Sequence, residues 1–273
     1  MRLPDVQTTE PARVALVTGA GAGIGLETAR LLASQGYRVA INDIDAAAAA
    51  SAAALLGEGH LAVAGDVADE SAVSRMVEEA VARLGRLDAL VNNAGIGDGA
   101  FPALEQSYAR FRRTFDVHVD GAFNVSRAAA RAMIATGGGA IVNLSSIAGM
   151  VAIPGRIAYG AAKSAIAMMT RILACEWASQ GIRVNAVVPG YVRTALVENL
   201  IQQDKIDANG IIARTPMGRM AQPKEIAAAI AFLLSPAASY ITGAALPVDG
   251  GYLAFGAPFP ASPAVDSLPG GKM

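Results

Sequence analysis

Seven short runs, "VALVT", "RVAIND", "HLAVAGDV", "LDALVNNAG", "AIVNLSS", "RVNAVVPG" and "AALPVDGG", recur along the chain with helix-length segments between them. Each is rich in Val, Ile, Leu or Ala at consecutive positions, so an extended backbone here is apolar on both faces. Such a strand is stable only with a layer packed on each side, and the intervening segments are long enough to be crossover helices. The pattern predicts an α/β fold, a doubly wound parallel sheet in a single domain. Helix signals agree: Ala29, Leu32 and Ala33 form an apolar stripe that Gly36 ends just before the second run. The alanine-rich tract "DAAAAASAAALLG", residues 45–57, reads as a surface crossover helix stopped by Gly57.

At 273 residues, 53% hydrophobic and 16% charged, the chain can bury one large core. Its net charge of −1 leaves no electrostatic footprint for nucleic acid or an anionic membrane, so a small neutral or anionic ligand is the expected partner. Cys175 stands alone, which excludes an internal disulfide, and His60 and His118 are too far apart to suggest a zinc site. The N-terminus lacks the apolar core of a signal peptide, and no apolar stretch is long enough to span a bilayer. A soluble, cytoplasmic protein is expected. Residues 1–12 read as an N-terminal arm, 13–252 as the folded domain, and 253–273 as a Pro/Gly-rich tail, extended or disordered, that can dock on a neighbouring subunit.

The run "VTGAGAGIG" joins the first strand to the first helix. Gly19, Gly23 and Gly25 lack Cβ atoms where a diphosphate would approach the helix N-terminus, as in a Rossmann-type dinucleotide site. Asp43 ends the second strand about 20 residues on, where an acid accepts the adenosine ribose hydroxyls. Its charge would repel a 2′-phosphate, and no Lys or Arg stands at Ala22 or Ile44 to hold one, so NAD is favoured over NADP. The alternative is that Asp43 only caps the next helix, a role open to Asp45 as well. Further on, Tyr159 and Lys163 lie four apart on one helical face. Lowering a tyrosine pKa by about 3 units requires roughly 4 kcal/mol, and an adjacent ammonium is the obvious local source.

Taken together, "TGAGAGIG", "NNAG", "SS" followed by "YGAAK", and "VVPG" resemble the short-chain dehydrogenase/reductase family in its single-domain form, over residues 14–251. The resemblance implies that Tyr159 is the general acid/base and that Ser146 hydrogen-bonds the substrate oxygen, with Ser145 as the alternative serine. Lys163 would lower the tyrosine pKa and, with Tyr159, hold the nicotinamide ribose. Gly19, Gly23, Ile24 and Gly25 would bind the diphosphate, Asp66 and Val67 the adenine, and Asn92, Asn93, Ala94 and Gly95 would line the cofactor cleft. Val188, Pro189, Gly190 and Val192 would lie at the nicotinamide and Thr194 at its carboxamide. For Asn92, Asn93 and Pro189 a purely structural role at strand ends is the reading without the resemblance.

One position departs from the family. Counting back from Gly121, His118 occupies the place of an asparagine in the family's "N-x-x-G" pattern, which is thought to help hold a water-mediated proton relay to the lysine. Three readings stay open: an imidazole that replaces the amide, a buried histidine satisfied by its neighbours, or a new acid/base or substrate contact.

Hydride transfer needs a water-poor cleft, with Ile96, Ala148, Met150, Ile153, Tyr191 and Leu196 as candidate walls and residues 195–212 as a mobile lid. These apolar walls carry no fixed positive charge and suit a secondary alcohol or ketone with an apolar body. Arg193 and Arg156 leave a hydroxy acid or a sugar open. The resulting expectation is an NAD-dependent alcohol dehydrogenase assembled as a homotetramer. The alternatives are a 3-ketoacyl-thioester reductase and a non-catalytic dinucleotide-binding protein.

Overall fold

The first strand, β1 (Val14–Val17), runs straight into the glycine-rich turn and α1 (Gly23–Ser34). That step repeats along the chain. In the computed structural model, which describes residues 12–97, 99–257 and 261, all seven apolar runs contain strands. β2 (Arg38–Asp43), β3 (Leu61–Ala64), β4 (Ala89–Asn92), β5 (Gly139–Leu144), β6 (Ile182–Pro189) and β7 (Ala245–Val248) join β1 in one parallel sheet of order β3-β2-β1-β4-β5-β6-β7. Val17 lies between Ile41 on one side and Val91 on the other.

Successive residues of a strand serve opposite layers. Leu16, Leu90 and Ile141 face Val77 of α3 (Glu70–Leu84), Met133 of α5 (Gly121–Ala135) and Leu173 of α6 (Ile157–Trp177). Val17, Ile41 and Val91 face Leu32 of α1, Ala49 of α2 (Ala46–Leu56) and Ile230 of α9 (Pro223–Leu234). Each large side chain removed from water contributes roughly 1.5–3 kcal/mol, which explains why both faces of every central strand are apolar. In α2 only Ala49 and Ala52 are buried, so the alanine tract is a surface crossover.

The remaining helices are α4 (Tyr108–Phe115), α7 (Ala195–Gln202) and α8 (Ala208–Arg214). A single π turn, Asp116–Asp120, links α4 to α5. Most of the expected N-terminal arm and of the expected tail lie outside the described residues. Residues 253–255 are tied to the body: Leu253 N–H donates to Asp249, and Arg214 donates to the Phe255 carbonyl. Among the described residues no helix is long and apolar enough to cross a membrane.

Strand order reverses between β1 and β4, so the chain leaves these two strands toward opposite sides and a cleft opens at their carboxyl ends. The glycine loop and the "NNAG" segment meet there.

Candidate active site

Thr18 and Asn93 assemble one wall of this cleft. The Thr18 hydroxyl accepts the N–H groups of Asn93 and Ala94, each at 3.0 Å, while the Asn93 amide donates to the Thr18 and Gly19 carbonyls, each at 2.9 Å. A Cβ on Gly25 would lie 2.5 Å from the Asn93 amide, so α1 can pack this closely only without a side chain there. At Gly23 the nearest atom to such a Cβ is Thr194 Cγ2, at 3.7 Å, leaving room above the helix N-terminus. α2, α3 and α7 are capped by Asp45, Asp69 and Thr194, but Ala22 supplies no side-chain cap to α1. Uncapped N–H groups beside an open glycine fit a dinucleotide diphosphate.

Asp43 is not the cap of α2. Asp45 fills that role by accepting from Ala47 and Ala48, whereas Asp43 accepts the Gly21 N–H at 3.0 Å and stays half-exposed at the loop. Gly21 makes this approach possible, since a Cβ there would sit 2.7 Å from the carboxylate. Asp66 is partly buried, which raises its pKa, but the Ala68 N–H and the Arg113 guanidinium outweigh this and hold it below the ordinary value. Val67 packs against Gly121, and Ile24 against the core. Pro189 ends β6, Gly190 lies tightly against Asp249, and Val192 bridges to Ala221. Ala94 and Gly95 continue the wall begun by Asn93. The Asn92 amide donates to Ser126 and Asn143, a buried tie between β4, β5 and α5.

The second constellation stands at the end of β5. Ser145 Oγ donates to the Lys163 carbonyl at 2.8 Å and is consumed in anchoring α6. Ser146 Oγ accepts the Ala148 N–H at 3.2 Å, a bond that does not use its own proton. Lys163 is 5% exposed, its ammonium donates to the Leu144 carbonyl at 2.7 Å, and it lies 5.6 Å from the centroid of the Tyr159 ring. Burial lowers the Lys163 pKa to about 7.

His118 sits at the centre of the π turn, its ring edge-on to Tyr159 with centroids 5.4 Å apart. Nε2 lies 3.0 Å from the Ile96 carbonyl and 3.2 Å from the Ile96 N–H. A neutral ring serves one of them at a time, as donor or acceptor, while the buried Nδ1 has no hydrogen-bond partner among the described residues. Burial, then the Lys163 charge, lowers the His118 pKa to about 3, with Arg156 adding to the effect and the Ile96 hydrogen bond opposing it. The ring is therefore neutral throughout the working range, and its titratable character has no part near pH 7.

A stability effect follows at acid pH. The unfolded imidazole takes its proton near 6.5 and the folded one only near 3, so stability present above pH 6.5 is lost as pH falls toward 3. At pH 5 the loss is about 2 kcal/mol. His118→Asn is expected to flatten the dependence of Tm on pH between 7 and 4.5. An unchanged slope would mean that the histidine is not buried neutral.

A family model described as enoyl-(acyl carrier protein) reductase matches residues 19–253, from the glycine loop through β7. The chain belongs to the short-chain dehydrogenase/reductase family. It is 47% identical over 244 residues to cis-4-hydroxycyclohexanecarboxylate dehydrogenase of Sinomonas cyclohexanicum, covering 89% of this chain and 97% of that one. Identity is also 47% over 241 residues to galactitol 2-dehydrogenase (L-tagatose-forming) of Cereibacter sphaeroides, covering 87% and 94%. Among solved structures, a gluconate 5-dehydrogenase from Burkholderia cenocepacia J2315 in complex with NADP and tartrate matches with TM-score 0.84 and 38% identity, over 89% of this chain and 96% of that one. This short-chain dehydrogenase/reductase is thus an oxidoreductase that uses a nicotinamide dinucleotide.

Not every expected substrate contact of this short-chain dehydrogenase/reductase gathers at Tyr159. Ile96 is held by His118, Ala148 by Ser146, and the Ile153 carbonyl accepts the Arg156 N–H, so these three border the constellation. Tyr191 is half-buried against Tyr252, its pKa raised by burial. Met150 is 38% exposed and Leu196, on α7, 62% exposed. The lid segment contains α7 and α8, joined through Asp204 in a left-handed conformation. Arg193 is committed to Glu198 at the surface. Arg156, the other cation that left an acid open, has its guanidinium 4.6 Å over the Tyr159 ring. Thr18 and Gly21 escaped the sequence reading. The motif in which both stand was the available signal, but their partners are 22 to 76 residues away.

Proposed function

We propose that this short-chain dehydrogenase/reductase is an NAD-dependent enzyme that interconverts a secondary alcohol and its ketone, with Tyr159 as general acid/base. The observation that carries this reading is Lys163, a buried ammonium beside a neutral carbonyl and the Tyr159 ring. Burying a charge is costly, and the adjacent phenol is the group that this charge serves. In oxidation Tyr159 takes the hydroxyl proton while Ser146 donates a hydrogen bond to the same oxygen; in reduction the proton returns. The bound nicotinamide supplies the hydride acceptor or donor. Gly19, Gly23, Ile24 and Gly25 would hold the diphosphate, Asp43 the adenosine ribose, Asp66 and Val67 the adenine. Lys163 and Tyr159 would hold the nicotinamide ribose, with Pro189, Gly190, Val192 and Thr194 at the ring. His118 takes the role of a positioning residue, fixing Ile96 and the edge of Tyr159 in place of the family's asparagine. His118→Asn should therefore retain most turnover.

Oxidation requires Tyr159 in its phenolate form, which the neighbouring Lys163 ammonium favours. Expected kcat/KM for alcohol oxidation rises with pH and then levels off, with the rise below the range of an unassisted tyrosine. In Lys163→Met the rise should move toward the range of an unassisted tyrosine, about 10. A variant profile superimposable on that of the wild type would remove Lys163 from the mechanism.

The apolar face left on α5 and α6 by Phe123, Ile134, Met168 and Ile172 supports a homotetramer, and the free, exposed Cys175 suits a reducing cytoplasmic setting. A weaker likeness, 38% identity over 253 residues to a 3-oxoacyl-[acyl-carrier-protein] reductase, supports a second reading, a 3-ketoacyl-thioester reductase. A panel of secondary alcohols, polyols and a 3-ketoacyl thioester, followed by NADH absorbance, separates the two. If NADH binds and no substrate turns over, a non-catalytic dinucleotide-binding protein becomes the better account.

A further inference from the structure

The lid buries little of itself. Neither α7 nor α8 contributes a fully buried residue, and the turn between them passes through Asp204 at φ 53°, in the left-handed region. Polar ties from α8 run to the chain beyond β7. Arg214, in the last turn of α8, donates from Nη1 to the Tyr252 carbonyl at 3.0 Å and from Nη2 to the Phe255 carbonyl. The same guanidinium lies 4.6 Å from the centroid of the Tyr252 ring and 5.0 Å from that of Phe255. The preceding residue, Ala213, accepts the Ala261 N–H at 2.7 Å. The segment so held is anchored beside the cleft. Asp249 accepts the N–H groups of Gly251 and Leu253, each at 2.9 Å, Gly190 packs on Asp249, and the Tyr252 ring stands 6.0 Å from that of Tyr191. The first residues of the expected tail thus serve the lid of their own subunit.

We propose that residues 252–255 act as a strap that carries the lid, and that Arg214 is a positioning residue for the substrate: by gripping the strap it holds α8 beside Tyr191, where the lid closes over the body of the alcohol. The proposal rests on the secondary-alcohol reading above and adds to it what sets substrate affinity. A guanidinium suits this grip because its edge pairs with two carbonyls while its faces stack on rings, and the two uses do not compete. Both polar acceptors are main-chain groups, so the grip fixes the path of the strap as well as its side chains. Asp249, the anchor of the strap, abuts Gly190, the expected neighbour of the nicotinamide, so the lid and the reacting ring share one frame. Contacts from the lid are made to bound substrate before and during hydride transfer alike. Loosening the lid therefore removes uniform binding, which raises KM and spares kcat.

The test measures cyclohexanol oxidation by the full chain as wild type, Arg214→Met, Arg214→Lys and Tyr252→Leu, with NADH affinity by fluorescence titration on the same preparations. Arg214→Met is expected to raise KM for cyclohexanol by on the order of 10-fold, as two hydrogen bonds and two ring contacts are lost, while kcat and NADH affinity stay within about threefold. Arg214→Lys should recover part of the KM, because an ammonium can reach a carbonyl but cannot pair with both and stack at once. Tyr252→Leu keeps the carbonyl that accepts from Arg214 and removes the ring between it and Tyr191, so KM should rise by about threefold. If Arg214→Met does not fold, the other two variants decide by the same split between KM and kcat. A KM within about twofold of the wild type, or a loss of NADH affinity that matches the change in KM, overturns the proposal and leaves the alcohol dehydrogenase standing. If the wild type oxidises neither cyclohexanol nor any other secondary alcohol, the alcohol reading is what fails, and amide hydrogen exchange of the NADH complex decides the strap. Faster exchange in Arg214→Met confined to residues 195–214 and 252–255 supports it; exchange equal to the wild type, or faster throughout the chain, overturns it.

Discussion

Tyr159→Phe is expected to lower kcat for alcohol oxidation by on the order of 10³-fold while leaving NADH affinity within about threefold. The substitution removes one oxygen from a half-buried ring that still packs against His118 and beneath Arg156. The fold and the cofactor wall made by Thr18 and Asn93 should therefore survive. The proton acceptor does not: Ser146 has an ordinary hydroxyl, His118 is turned onto Ile96, and Lys163 is held by the Leu144 carbonyl. Stopped-flow or steady-state rates across pH, with NADH fluorescence titration on the same preparations, separate chemistry from binding. Retention of more than a tenth of wild-type kcat would assign the proton transfer to another group, His118 first among them.

The second large effect concerns the choice of dinucleotide. Wild-type enzyme is expected to prefer NAD over NADP, and Asp43→Asn to move the ratio of their kcat/KM values toward NADP by on the order of 10²-fold. Two unit charges about 5 Å apart repel by roughly 3 kcal/mol at an effective dielectric constant near 20, and a 2′-phosphate carries at least one such charge. Asparagine keeps the oxygen that accepts the Gly21 N–H, so the loop stays in place and the experiment reads charge alone. Most of the change should come from gained NADP activity, with a smaller loss for NAD as the ribose hydroxyls exchange a charged acceptor for a neutral one. The comparison is informative because the gluconate 5-dehydrogenase structure holds NADP on the same fold. A ratio that moves by less than threefold would show that Asp43 does not face the ribose.

Much of this was legible because it is local. Seven short, continuously apolar runs separated by helix-length segments mark seven strands, since the sheet is covered on both faces and each strand carries the signal in a few consecutive residues. The glycine loop and the Tyr159–Lys163 spacing are likewise contained within nine residues or one helical turn. The resemblance carried by these motifs was enough to anticipate the family.

What sequence by itself did not contain are the choices made across the fold. Ser145 and Ser146 are adjacent and chemically identical; only the packing of α6 decides that Ser145 is spent on the Lys163 carbonyl. Asn92 and Asn93 are equally alike, yet one turns into the core toward Asn143 and the other clamps the glycine loop. His118 looked titratable, but burial and the neighbouring charges of Lys163 and Arg156 keep it neutral. Arg156 and Arg193 were alike as cations able to reach an acid, and it is α6 that lays Arg156 over Tyr159. In the strands and the glycine loop, residue type and near neighbours carry enough free energy to settle the outcome. At Ser146, His118 and Arg156 the deciding terms are desolvation and contacts between distant segments, and those exist only once the sheet has brought the strand ends together.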